Sequence, residues 1–191
     1  GGSATNSIVA AALFGSDCYM SCIVANDENG EFYLKDLSTN GVGHSSELNP
    51  SQMPSGQCLV MISGDAERTM CTNLGINSEI SSKNVHEEVI KNSNYLLLEG
   101  YLLASPGGYE AFKKAVEYAK EHNTKVALSL SDTFIVNSFE KELRELIEIK
   151  CDLIFCNEAE AMEFSGKNTD EEIFVYFKDY TSNLLITKGP R

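Results

Sequence analysis

Beyond about residue 85 the chain alternates short, nearly all-apolar runs with longer segments in which apolar residues recur every three or four positions. Tyr95-Leu96-Leu97-Leu98, Val126-Ala127-Leu128-Ser129-Leu130, Leu153-Ile154-Phe155-Cys156 and Leu184-Leu185-Ile186-Thr187 predict strands of a sheet covered on both faces. Tyr109, Phe112, Val116 and Ala119 fall on one helical face, as do Phe139, Leu143, Leu146 and Ile147 further along. Strand and helix in alternation are the mark of βαβ units, so the reading is an α/β body over residues 85–191 with a mainly parallel sheet and helices on both faces.

The first third patterns differently. Gly1-Gly2-Ser3-Ala4-Thr5-Asn6 predicts a glycine turn feeding the buried start of a small-residue helix from Ser7 to Gly15. Residues 17–25 predict one strand, Asn26-Asp27-Glu28-Asn29-Gly30 a turn, and the residues through Leu37 a short helix. The segment 41–56, with Pro50 and Pro54, has no period and predicts an exposed connection. Residues 58–63 and 68–73 flank Gly64-Asp65-Ala66-Glu67, a hairpin signal. The first third thus forms a small strand-rich appendage. No repeat or low-complexity tract divides the chain.

Charge narrows the partners. Asp and Glu outnumber Lys and Arg by 28 to 15, giving a net charge of −13. Such a surface repels phosphate backbones and anionic lipid, and no apolar run spans a bilayer, so neither nucleic acid nor membrane is an expected partner. The six cysteines lie in or beside apolar runs without C-x-x-C spacing; they read as reduced packing residues of a cytoplasmic protein, Cys18 and Cys22 sharing a strand face. His44, His86 and His122 read as surface residues. The first residue is Gly1 rather than methionine, which leaves room for a further N-terminal segment.

In open parallel sheets ligands gather at the carboxyl ends of strands. Glu99-Gly100 sets a carboxylate at the first such end, or is a solvated acid with a turn glycine. Asn157-Glu158-Ala159-Glu160 sets an amide and an acid three residues apart at a helix start; this spacing makes a capping box and equally suits Mg²⁺-bound phosphate. Thr187-Lys188-Gly189-Pro190-Arg191 offers a hydroxyl, a glycine and two cations just past a strand, fit for phosphate or simply a solvated turn. Gly1, Gly2 and Asn6 allow close backbone approach and two-way hydrogen bonding to a polyhydroxylated ligand. Neither G-x-G-x-x-G nor a Walker A string occurs, and no nucleophile elbow or H-E-x-x-H motif does.

Taken in order, Gly1-Gly2-Ser3-Ala4-Thr5-Asn6, the turn Asp27-Glu28-Asn29-Gly30-Glu31-Phe32, Asn157-x-x-Glu160 and Thr187-Lys188-Gly189 resemble the motif succession of the ribokinase (PfkB carbohydrate kinase) family, over nearly the whole chain. Glu67-Arg68-Thr69-Met70, Leu98-Glu99-Gly100-Tyr101-Leu102 and Leu128-Ser129-Leu130-Ser131-Asp132-Thr133-Phe134 resemble its adenosine-kinase-like branch. The resemblance implies a ribokinase-like fold in which residues 17–25 and 58–73 form a β-rich lid. It implies transfer of the γ-phosphoryl of ATP, with Mg²⁺, to a hydroxymethyl group of a sugar or nucleoside. By it, Gly1, Gly2, Asn6 and Glu99 bind substrate, Asn157, Thr187 and Gly189 bind ATP, and Glu160 serves the metal. Many members pair through the lid, so a homodimer is the implied assembly.

Two departures stand beside this match. The family's Gly-Ala-Gly-Asp motif, which supplies base and anion hole, is absent from residues 1–191, and Ser63-Gly64-Asp65 in the hairpin is no substitute. The family's first strand would precede Gly1. The expectation is the central part of one kinase domain, with no catalytic residue of its own and no activity as it stands. The alternative is a non-catalytic sugar- or nucleoside-binding protein of the same fold.

Overall fold

A computed structural model describes residues 2–44, 48–148 and 151–189. The chain divides into two compact units, Gly1–Ile80 and Ser81–Arg191.

In the first unit, helix α1 (Ser3–Leu13) is followed by strands β1 (Cys18–Met20) and β2 (Val24–Ala25), helix α2 (Glu28–Thr39), and strands β3 (Val42–His44), β4 (Leu48–Asn49), β5 (Gln57–Ile62) and β6 (Arg68–Asn73). The predicted single strand over 17–25 is two strands. β1 pairs in parallel with β3 and β2 with β4, so one apolar run serves two separate sheets. Cys22 therefore lies outside the strand that holds Cys18, although both pack on the cluster around Leu37 and Val42. The segment 41–56 is not merely an exposed connection: it contains β3 and β4, and Val42 and Ser55 are buried. Residues 28–30, predicted as turn, open α2, because Asp27 caps that helix by accepting from the Gly30 amide at 2.7 Å. The same carboxylate accepts from the Ser55 amide at 2.8 Å and its hydroxyl at 2.7 Å, and Ser55 Oγ accepts from the Ala25 amide at 3.0 Å. One aspartate thus ties α2, β2 and the segment after β4. The hairpin is as predicted, an antiparallel ribbon whose twelve residues are all exposed.

The second unit runs through α3 (Glu87–Lys91), β7 (Tyr95–Glu99), α4 (Gly108–His122), β8 (Lys125–Ser129), α5 (Thr133–Ser138), α6 (Glu140–Ile147), β9 (Leu153–Asn157), α7 (Glu158–Ser165), α8 (Asp170–Phe177) and β10 (Leu184–Thr187). Four parallel strands form one sheet in the order β10-β9-β8-β7. The expected α/β body with a mainly parallel sheet is observed. Val126, Ala127 and Leu128 are buried in succession, and since neighbours on a strand point to opposite faces, β8 is covered on both. β10 is less enclosed, with Leu185 46% exposed. Phe112, Leu128, Leu143, Ile147, Ile154, Phe164 and Phe177 are almost wholly buried in one core; each contributes about 1.5–3 kcal/mol of apolar burial.

All six cysteines are free thiols. Cys58 and Cys71 depart from the expected packing role, being exposed on the ribbon, while burial pushes the Cys151 and Cys156 thiols up to about 12. The three histidines are half-buried rather than surface residues; His122 Nε2 lies 2.9 Å from Glu87 Oε1.

Candidate functional site

Each strand of the second unit delivers its last residues to the same edge of the sheet, because all four run parallel. At β7 this is Glu99. The residue is partly buried, and among the described residues its Oε2 is buried without a hydrogen-bond partner. A buried carboxylate oxygen in that state costs free energy.

At β9 the chain turns straight into α7 with a capping box. Glu160 N donates to Asn157 Oδ1 at 2.8 Å, and Asn157 N donates back to Glu160 Oε2 at 3.0 Å. Asn157 Nδ2 donates to Glu160 Oε1 at 2.6 Å, so both oxygens of the acid are engaged. Glu160 is 5% exposed. Desolvation raises its pKa, the hydrogen bond from Asn157 opposes this, and the charges of Asp132 and Glu99 add to the rise. A cap alone does not need burial among like charges. The capping reading holds, and the burial beside Asp132 and Glu99 is an electrostatic cost that the cap does not itself explain.

Beyond β8 the backbone runs through Leu130 to Ser131, a non-glycine residue at φ 72°, and Asp132 caps α5 by accepting from the Phe134 amide at 2.7 Å. Tyr101, in the turn after β7, donates its hydroxyl to Asp132 Oδ2 at 3.1 Å. Desolvation, then Asp132, Glu160 and Glu99, push the Tyr101 hydroxyl up to about 12. Asp132 and Tyr101 are the members that sequence reasoning left out of the site. The signal was there: Asp132 follows a strand, like Glu99 and Asn157.

At β10, Thr187 is the register partner of Asn157, and both are exposed. Gly189 has φ 67°, and Lys188 between them ion-pairs with Asp170 and with Glu158 at 3.6 Å. The second expected cation, Arg191, lies outside the described residues, as does Gly1. Thus Glu99, Asp132 and Glu160 are brought together, and Asn157 is brought beside Thr187. The surface hollow bounded by Leu103, Ser105, Tyr109 and Phe139 and that bounded by Lys167, Val175 and Tyr180 include none of these strand-end residues.

In the first unit, Gly2 caps α1 at φ 103°, a conformation open to glycine, and is exposed. The helix begins at Ser3, four residues earlier than predicted, because Thr5 anchors its first turn through a 2.7 Å hydrogen bond with Tyr33. The predicted buried start is therefore only partly buried, and Asn6 lies exposed on the helix rather than in a preceding turn.

Glu99, Asp132 and Glu160 act on one another electrostatically from three strand ends and are oxygen donors of the type Mg²⁺ takes, but among the described residues their oxygens do not close into a ligand set; the acidic group that does is Glu87, Glu121 and His122. Residues 1–191 match the family described as pfkB family carbohydrate kinase. The chain is 26% identical over 175 residues to the guanosine-inosine kinase of Escherichia coli (strain K12), covering 90% of this chain and 40% of that protein. It is 27% identical over 177 residues to the adenosine kinase of Schizosaccharomyces pombe, covering 88% of this chain and 50% of the relative. Among solved structures, the adenosine kinase from Sinorhizobium meliloti superposes with a TM-score of 0.94 at 27% identity, over 99% of this chain and 58% of that one. The chain spans about half the length of the curated relatives it matches. The fold is ribokinase-like, and the chain belongs to the pfkB family of carbohydrate kinases.

Proposed function

We propose that the protein containing this chain is an ATP- and Mg²⁺-dependent phosphotransferase that phosphorylates a hydroxymethyl group of a sugar or nucleoside. The observation that carries this reading is the gathering of Glu99, Asp132 and the Asn157–Glu160 pair at the carboxyl edge of the sheet, within a chain of this family. Glu160 is the residue for the cation, held in place by Asn157, and Thr187 and Gly189 begin the nucleotide loop. Glu99 recognises substrate hydroxyls, and in the first unit Gly2 and Asn6 match the family's own substrate-binding motif. When bound, Mg²⁺ offsets the charge of the transferring phosphoryl group. The protein's share is positioning: fixed carboxylates, and backbone donors that need no reorganisation during reaction.

The base of the reaction is assigned to a Gly-Ala-Gly-Asp motif outside residues 1–191, where no such string occurs. The second reading is a non-catalytic sugar- or nucleoside-binding protein of the same fold. A homodimer through the exposed ribbon and a cytoplasmic location complete the proposal.

The test is Glu160→Gln in the full-length protein. Turnover at saturating ATP falls and its Mg²⁺ dependence flattens, while the circular dichroism spectrum is kept, since Gln also serves at that capping position. Unchanged kinetics would reduce Glu160 to a cap. Ligand binding without any ADP release by the wild type would favour the second reading.

A further inference from the structure

A lysine immediately past a strand and before a glycine reads, from sequence, as a cation for phosphate. In the structure its ammonium is spent on protein carboxylates: Lys188 ion-pairs with Asp170 and lies 3.6 Å from Glu158 Oε1. The three residues come from three elements. Lys188 follows β10, Glu158 opens α7 and Asp170 opens α8. Their side chains are 32%, 34% and 45% exposed, so the group is partly withdrawn from water.

The placement has an electrostatic logic. A cation facing two helix N-termini meets the positive ends of both dipoles, which disfavours it unless first-turn acids intervene. Glu158 and Asp170 are such acids. With two carboxylates around one ammonium the trio carries a net negative charge, so little field is left for an anionic ligand. The tie to Glu158 also extends the strand register by one step, since the preceding residues Thr187 and Asn157 are already paired.

We propose that Lys188 is a positioning residue, clamping the turn after β10 onto the first turns of α7 and α8 and so fixing where Thr187 and Gly189 present themselves, rather than a ligand of phosphate. The inference rests on the nucleotide-binding reading of that turn. Partly exposed ion pairs contribute little to global stability, so the effect is local opening of the turn rather than unfolding.

The experiment uses the full-length protein with Lys188→Met, Lys188→Arg and the double substitution Glu158→Gln/Asp170→Asn. Amide hydrogen exchange over residues 184–189 is followed without nucleotide, and binding of a fluorescent ATP analogue with Mg²⁺ is titrated separately. Lys188→Met and the double variant both speed exchange at the turn and weaken analogue binding about tenfold, as a less preorganised site should, while Lys188→Arg stays near wild type. Unchanged exchange in Lys188→Met overturns the proposal. So does weaker binding in Lys188→Met together with tighter binding in the double variant, because freeing the ammonium would then have helped a direct phosphate contact. A wild type that binds no analogue removes the nucleotide reading of the site, and the exchange arm still decides whether the clamp exists.

Discussion

At the scale of single residues, two carboxylates show opposite electrostatic designs. Asp27 accepts hydrogen bonds from the Ser55 amide and hydroxyl and the Gly30 amide, which hold its pKa below the ordinary value. Its contribution to stability is present above the unfolded-state value of about 3.9 and is lost as pH falls through the lower folded value. Asp27→Asn therefore lowers the melting temperature at pH 7, and the gap to wild type narrows as pH drops below about 4. A gap independent of pH would show that the carboxylate charge does not matter there. Glu99 has the reverse economy: its Oε2 is buried with no partner among the described residues. Glu99→Gln should leave the melting temperature unchanged or higher, as for groups kept for function at a cost in stability. In the full-length protein, Glu99→Ala or Asn6→Ala raises the substrate requirement by roughly tenfold to a hundredfold and the ATP requirement far less. A change confined to ATP would refute the substrate assignment. At this scale the sequence exposed Glu99 and Glu160 through their strand-end positions but passed over Asp132. The parallel pairing that sets Glu99 beside Ser129, and the 3.1 Å contact of Asp132 with Tyr101, 31 residues away in sequence, show that the end of β8 belongs with the end of β7.

Among elements, periodicity located the body's strands and its longer helices because each had one consistent environment. It failed in the first unit for an equally physical reason. Residues 18–25 are apolar but for Ser21, yet β1 and β2 within them pair with different partners, and composition carries no record of where pairing is handed from one strand to another. The segment 41–56 was missed because β3 and β4 are three and two residues long, too short to show a period of two. A packing constraint invisible in sequence gives the next prediction. A Cβ on Gly108, at the start of α4, would lie 1.8 Å from the Leu102 carbonyl oxygen, so Gly108→Ala forces α4 away from the preceding turn. Chemical denaturation should show a loss of about 1–3 kcal/mol despite alanine's better helix propensity. The ribbon of β5 and β6 makes the opposite case, since Leu59 and Ile62 are 65% and 70% exposed. If the ribbon is a dimer contact, Ile62→Asp shifts sedimentation of the full-length protein from dimer to monomer without lowering its monomeric stability. An unaltered dimer would place the contact elsewhere.

For the molecule as a whole, the expected behaviour follows from what residues 1–191 contain: the fold and the acidic sheet edge are present, and the Gly-Ala-Gly-Asp string is not. A positioned general base is typically worth about a hundredfold to ten-thousandfold in rate. The 191-residue chain should therefore release no ADP above background in a coupled assay with sugars and nucleosides, while the full-length protein turns over. Robust turnover by the short chain would move the base to Asp132, Glu99 or Asp65. By itself the sequence determined the α/β class, the four parallel strands, the hairpin, the negative field and the order of family motifs, because these depend on local periodicity, turn chemistry and composition. Tertiary structure alone decided that Glu99, Asp132 and Glu160 share one electrostatic environment, that Lys188 is taken up by Glu158 and Asp170, and that α1 begins at Ser3. Each of these turns on distances between residues far apart in the chain, and on which polar groups lose their water when the elements close together, quantities that exist only once the chain has folded.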